Sequence, residues 1–174
     1  MSKLIPLTKG YSAIVDDEDY DYLMQWKWYA HIYQKTNKVG TPSTYAHIYA
    51  QRWELKHQLG MHRVVLGLGT DDTRWLIDHI NHNGLDNRKT NLRVCTNTQN
   101  IGNSRPKAGS SKYKGVHYCL TRKVWVSRLT NNGKVVYIGQ FQSELEAALA
   151  FDDVAIKTRG EFALTNKSFY GIGG

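Results

Sequence analysis

Between Asn81 and Asn91 the chain carries Asn, His, Gly, Asp, Arg, Lys and Thr side chains and a single apolar residue, Leu85. A stretch so rich in turn formers reads as a loop. Short apolar runs flank it, Leu76-Ile77 before and Leu92-Arg93-Val94 after, and they read as a strand and its return strand. Thr96 then stands as the N-cap of a helix over 97–103, in which Asn97, Asn100 and Asn103 fall at i, i+3 and i+6 on one face. The segment is therefore expected to fold locally as strand, loop, strand and helix, with that asparagine face able to look back at Asp78 and His79.

The 174 residues suffice for one ordinary domain or two small ones, and two small ones are expected. Before the loop, aromatic and polar residues alternate around Trp26–Tyr33 and again around Thr44–Ala50, the period of strands. The turn-rich residues Lys35–Ser43 join them as a long-looped hairpin whose aromatics form a packing face. The acidic run Asp16–Asp19 reads as a solvated turn before a short helix at Tyr20–Gln25, with no function assigned. Met61–Leu68 fits one or two helical turns. After the helix at 97–103, the small, polar and basic residues up to Ser111 have linker composition.

Beyond that linker, Gly115–Cys119, Val124–Thr130 and Lys134–Phe141 are strand-like, with Asn131-Asn132-Gly133 as a hairpin turn. Ser143-x-x-Glu146 has the form of a capping box opening a helix that Gly160 ends. Ala148, Phe151 and Ala155 make its apolar stripe.

The formal net charge of +8 points to a polyanionic partner, and its distribution sharpens this. Residues 111–142 hold Lys112, Lys114, Arg122, Lys123, Arg128 and Lys134 with no acidic residue, whereas the regions on either side are nearly balanced or acidic. No run approaches the roughly 18 apolar residues of a membrane span, and the first residues lack a signal peptide's apolar core, so a soluble intracellular protein is expected. Cys95 and Cys119 form no C-x-x-C pair, so neither a thiolate zinc site nor a necessary disulfide is expected.

The run from Leu76 to Asn100, with Asp78-His79, Leu85-Asp86-Asn87-Arg88, Asn91-Leu92-Arg93 and Gln99-Asn100, resembles the HNH nuclease motif. The resemblance implies a ββα-metal unit in which His79 is the general base. It further implies Asp78 and Asn100 as ligands of Mg2+ or Mn2+, no zinc, and Asn91 bracing the motif, with Asn87 a rival for that role. The family often has histidine where this chain has Asn100, and asparagine is a variant there. Hard oxygen donors suit such cations, and an imidazole's near-neutral pKa suits it to take a proton from water. His62-Arg63 matches a pattern found upstream of the motif in phage nucleases, which makes both candidate phosphate contacts, as are Asn103, Arg105 and Lys107.

Ser111–Asn166 resembles the DNA-binding domain of plant ethylene-response (Apetala-type) factors. The matching residues include Tyr113-Lys114-Gly115-Val116, Trp125, Tyr137-Ile138-Gly139-Gln140-Phe141, Glu146-Ala147-Ala148 and Gly160-Glu161-Phe162-Ala163. The resemblance implies a three-stranded antiparallel sheet packed on one helix, with Lys114, His117, Arg122, Trp125, Arg128 and Tyr137 on the DNA side. Arg128 stands where the plant proteins usually have glutamate, so their target does not transfer; arginine there can read guanine or hold a phosphate.

The expectation is thus an α+β chain. A nuclease domain spans 1–103, made of a β-hairpin region 1–60 and a ββα-metal unit 61–103. A basic linker at 104–111 tracks the DNA backbone, and an ethylene-response-factor type DNA-binding domain spans 112–174. Such a chain reads as a homing endonuclease that hydrolyses double-stranded DNA in the cytoplasm of the host of a phage or mobile intron, as a monomer or homodimer. The rival reading is a non-catalytic DNA-binding regulator.

Overall fold

The computed structural model describes residues 1–36, 42–54, 57–70, 75–107 and 109–172, with side chains described outside 34–36 and 42–46. The chain forms small antiparallel sheets and short helices, an α+β arrangement, in two compact units, Met1–Cys95 and Thr96–Gly174. This division falls before the helix at 97–102, whereas the sequence placed it in the basic segment 104–111. The helix goes with the second unit because its C-terminal carbonyl, Gly102 O, accepts from Leu164 N–H at 3.1 Å and from the Lys114 ammonium at 2.6 Å.

In the first unit, β1 (Ser2–Pro6) pairs with β2 (Ser12–Asp16). Helix α1 then covers Asp17–Leu23, three residues earlier than expected. The acidic run is not a turn ahead of the helix but its first turn, where Asp17, Glu18 and Asp19 meet the positive end of the helix dipole. The aromatic segments pair as β3 (Tyr29–Thr36) and β4 (Pro42–Glu54), and β5 (His57–Gly60) extends the sheet along β4. The middle of the expected hairpin loop, 37–41, lies outside the described residues. Ile5, Ala13, Val15, Leu23, Trp28, Ala50 and Met61 form one buried cluster, to which helix α2 (Met61–Val65) contributes its first residue. The last two strands, β6 (Leu76–His79) and β7 (Leu92–Cys95), pair so that Asp78 faces Arg93 and His79 faces Leu92.

In the second unit, helix α3 (Asn97–Gly102) opens with the capping box that Thr96 and Gln99 encode. Three strands follow, β8 (Val116–Cys119), β9 (Val124–Asn131) and β10 (Lys134–Phe141), in the order β10-β9-β8. Asn132 and Gly133 take φ of 48° and 74°, the left-handed pair that a two-residue hairpin turn requires. Helix α4 (Glu144–Arg159) stops at Gly160 and lays Ala147, Ala148, Phe151 and Ala155 on the sheet. The capping box expected at Ser143 is not formed; Ser143 makes no side-chain cap bond, and Glu144 instead accepts from Ser111 Oγ at 2.7 Å. A short helix α5 (Asn166–Tyr170) docks through Asp152, whose carboxylate accepts from the Asn166 and Lys167 backbone N–H groups. No helix among the described residues is long and apolar enough to cross a membrane.

Candidate functional site

Strand β6 ends on Asp78 and His79, both buried, and the loop 80–91 closes over them. Asn91 does much of that closing. Its side-chain oxygen accepts from Asn81 N–H at 3.0 Å, its amide donates to Asp86 O at 2.8 Å, and its own carbonyl accepts from Ile80 N–H. Asp86, 2% exposed, is a second anchor, accepting from Arg88 Nε and Nη2 and from Asn81 Nδ2. The Arg88 guanidinium beside it holds the Asp86 carboxyl below the ordinary carboxylate range. Strand β2 fixes the far side of the loop, because Ile14 N–H donates to Leu85 O and Ile14 O accepts from Asn87 N–H. The acidic run, for which no function was expected, docks here as well. Asp16 accepts from Lys89 N–H, and Lys89 Nζ pairs with Glu18 and Asp19.

The His79 imidazole is walled by aromatic rings. Its centroid lies 5.3 Å from that of His62, nearly perpendicular, and 5.8 Å from that of Tyr49. Burial pushes the His79 pKa down, while a hydrogen bond with the Asn87 side chain and the charges of Asp78 and Asp86 pull it up. His62 is pushed down to about 3 by burial, and then by His79 and Arg63. Its ring is therefore neutral at physiological pH, and a cationic grip on phosphate is not available to it. Arg63 spends its guanidinium on backbone, donating to Gly69 O and Trp75 O. Gly84 makes room for this arrangement: a Cβ there would come within 2.4 Å of Ile48 O and 2.6 Å of the Tyr49 ring.

Asp78 accepts from Arg93 Nε at 2.9 Å and Nη2 at 2.7 Å, both on the same oxygen. Tyr49 and Arg93 are thus the neighbours that sequence reasoning missed. Arg93 had a readable signal, since cross-strand pairing of the two short strands sets it opposite Asp78. Asn100 lies on α3 in the second unit. Among the described residues no group of three His, Cys, Asp or Glu side chains is placed to hold a metal ion. The first unit buries two carboxylates, Asp78 and Asp86, each paired with an arginine, and Asp78 is the one adjoining His79; a single carboxylate there fits a hard cation that keeps most of its own water.

In the second unit Arg128 is exposed and pairs in register with exposed Tyr137 on the neighbouring strand, and Arg122 is exposed between β8 and β9. His117 is half-buried. Trp125 lies on the other side of β9, packed against Tyr113, Val116, Ala147 and Ala148. Lys114 is turned inward, donating to Gly102 O at 2.6 Å and Ser104 O at 2.7 Å, and burial lowers its pKa to about 7. Asn103 is buried at the end of α3, Arg105 is half-buried, and Lys107 is exposed.

No family model matches the chain. A protein of Acanthamoeba polyphaga mimivirus described as an uncharacterized HNH endonuclease is 30% identical over 162 residues, 91% of this chain and 76% of its own length. An APETALA2-like protein of Oryza sativa is 42% identical over 55 residues, covering 32% of this chain but 13% of the plant protein. An AP2-like ethylene-responsive transcription factor of Arabidopsis thaliana is 40% identical over 55 residues, covering 11% of its length.

Proposed function

Because the chain belongs to the HNH endonuclease family, we propose that it is a metal-dependent, site-specific DNA endonuclease of the homing type, carrying its own targeting module. The observation that carries this reading is His79, buried next to Asp78 with its pKa pushed down by that burial, hydrogen-bonded to the Asn87 side chain and flanked by the His62 and Tyr49 rings. A neutral, oriented imidazole is a proton acceptor. His79 takes the proton of the water that attacks phosphorus; the bond from phosphorus to the 3′ oxygen breaks and that oxygen takes up a proton from solvent, giving a 5′-phosphate and a 3′-hydroxyl. Asp78 is the proposed carboxylate ligand of Mg2+ or Mn2+, with Asn100 assigned the second oxygen donor by the family resemblance. The bound cation supplies Lewis acidity to the phosphate and stabilises the leaving oxygen. Asn91 holds the loop that frames His79.

The likeness of a third of the chain to AP2-like transcription factors supports DNA binding by the second unit, through Arg128, Tyr137, Arg122 and His117. A nuclease joined to such a module suits a phage or mobile intron acting on double-stranded DNA in its host cell.

The test is cleavage of plasmid and host-gene DNA by the wild type and by His79→Ala. The variant should lose about 10²–10⁴ in single-turnover rate while binding DNA within a few-fold of wild type. Equal rates at several pH values would remove His79 from the chemistry. A wild type that binds but never cuts would favour a non-catalytic regulator, a role consistent with the Arg93 clamp on Asp78.

A further inference from the structure

The basic segment after α3 is tied to the second unit at both ends. At one end, Ser104 N–H and Oγ both donate to Ile101 O, and the Lys114 ammonium clasps Gly102 O and Ser104 O. At the other, Ser110 Oγ accepts from the N–H of Tyr118 on β8, and Ser111 Oγ accepts from Tyr113 N–H and donates to Glu144. A tether has no such anchors. Between the anchors, Arg105 and Lys107 line one cleft together with Ser110, His117 and Arg128. None of the described residues lining it is acidic. Besides Lys114, whose ammonium is held by the two carbonyls, three cationic side chains line it, and Ser110, having accepted from Tyr118, still has its hydroxyl proton to donate.

We propose that this cleft binds a backbone phosphodiester of duplex DNA, with the described residues 104–107 and 109–111 as its outer wall and Arg128 as its inner cation. The proposal rests on the reading of the chain as a DNA-binding nuclease and deepens it. It makes Arg128 a phosphate contact rather than a base reader, and it makes Lys114 the strut that holds the wall in place. Contacts of this kind set register on the duplex without reading sequence.

The full chain is titrated with a random-sequence labelled duplex in EDTA across a salt series, so that binding is read without cutting. One phosphate neutralised contributes about 0.9 to the slope of log K against log salt. Arg105→Gln with Lys107→Gln should flatten the slope by up to about that amount, as should Arg128→Gln. All three together should flatten it by less than the sum, because the side chains share one phosphate. Arg105→Lys should keep the wild-type slope. Lys157→Gln with Lys167→Gln removes equal charge from α4 and α5 and should also keep it. An unchanged slope in the cleft variants, strict additivity, or an equal fall in the α4/α5 control would overturn the proposal. If the wild type fails to bind DNA at low salt, the nuclease reading falls with it; if all variants bind with the wild-type slope, the cleft alone falls.

Discussion

At Lys114 one ammonium group meets two backbone carbonyls in a half-buried setting, and burial lowers its pKa from 10.5 to about 7. The folded second unit therefore holds fewer protons than the unfolded chain between about pH 7 and 10.5, so this residue makes stability rise with pH across that window. Below pH 7 both states are protonated and the penalty is present in full. Chemical denaturation of wild type and Lys114→Met at pH 7 and 9.5 checks this: the wild type should gain more stability than the variant on going to the higher pH. Equal gains would mean that Lys114 titrates normally. The family resemblance put this lysine on the DNA side, and nothing in the sequence around a basic residue marks the carbonyls it will meet. That Asp78, His79 and Asn91 come together was legible because their spacing is fixed within one short strand-loop-strand unit. Tyr49 was not, since it reaches His79 from β4, thirty positions earlier, and alternation reports only that its strand has two faces.

At the scale of elements, the same signature can be realised in one place and not in another. Thr96 and Gln99 form their capping box, whereas Ser143 does not, and α4 forms nonetheless because its buried alanines and Phe151 hold it on the sheet. Elements built from local pattern, such as β8 to β10 and their Asn132-Gly133 turn, were therefore readable nearly to the residue. The loop 80–91 differs, for its shape depends on partners in β2, α1 and β4 that no local pattern names. Gly84 has no room for a Cβ between Ile48 O and the Tyr49 ring. Gly84→Ala should destabilise the first unit by about 1–3 kcal/mol, the usual cost of overpacking. Because the displaced ring is the one beside His79, cleavage should fall more than DNA binding does. Thermal unfolding alongside single-turnover cleavage reads both effects, and an unaltered melting temperature with wild-type cleavage would show that the loop can shift without consequence.

For the whole molecule, the division between Cys95 and Thr96 sets where the second unit begins. Cutting before Arg105, where composition places a linker, would remove Gly102 O and Ser104 O from Lys114, Gly102 O from Leu164 N–H, and Thr98 Oγ1 from Asn132. A partly buried ammonium left without its acceptors costs about 1–3 kcal/mol, a large share of what a small domain has to spare. A fragment of residues 96–174 should therefore unfold in urea at a clearly higher midpoint than one of residues 105–174, with similar m-values because the deleted residues expose little further surface. Replacing Lys114 by Met in both fragments should narrow the gap, since the strut is then missing from each. Equal midpoints for the two unsubstituted fragments would show that α3 and the segment after it contribute nothing to the stability of the second unit.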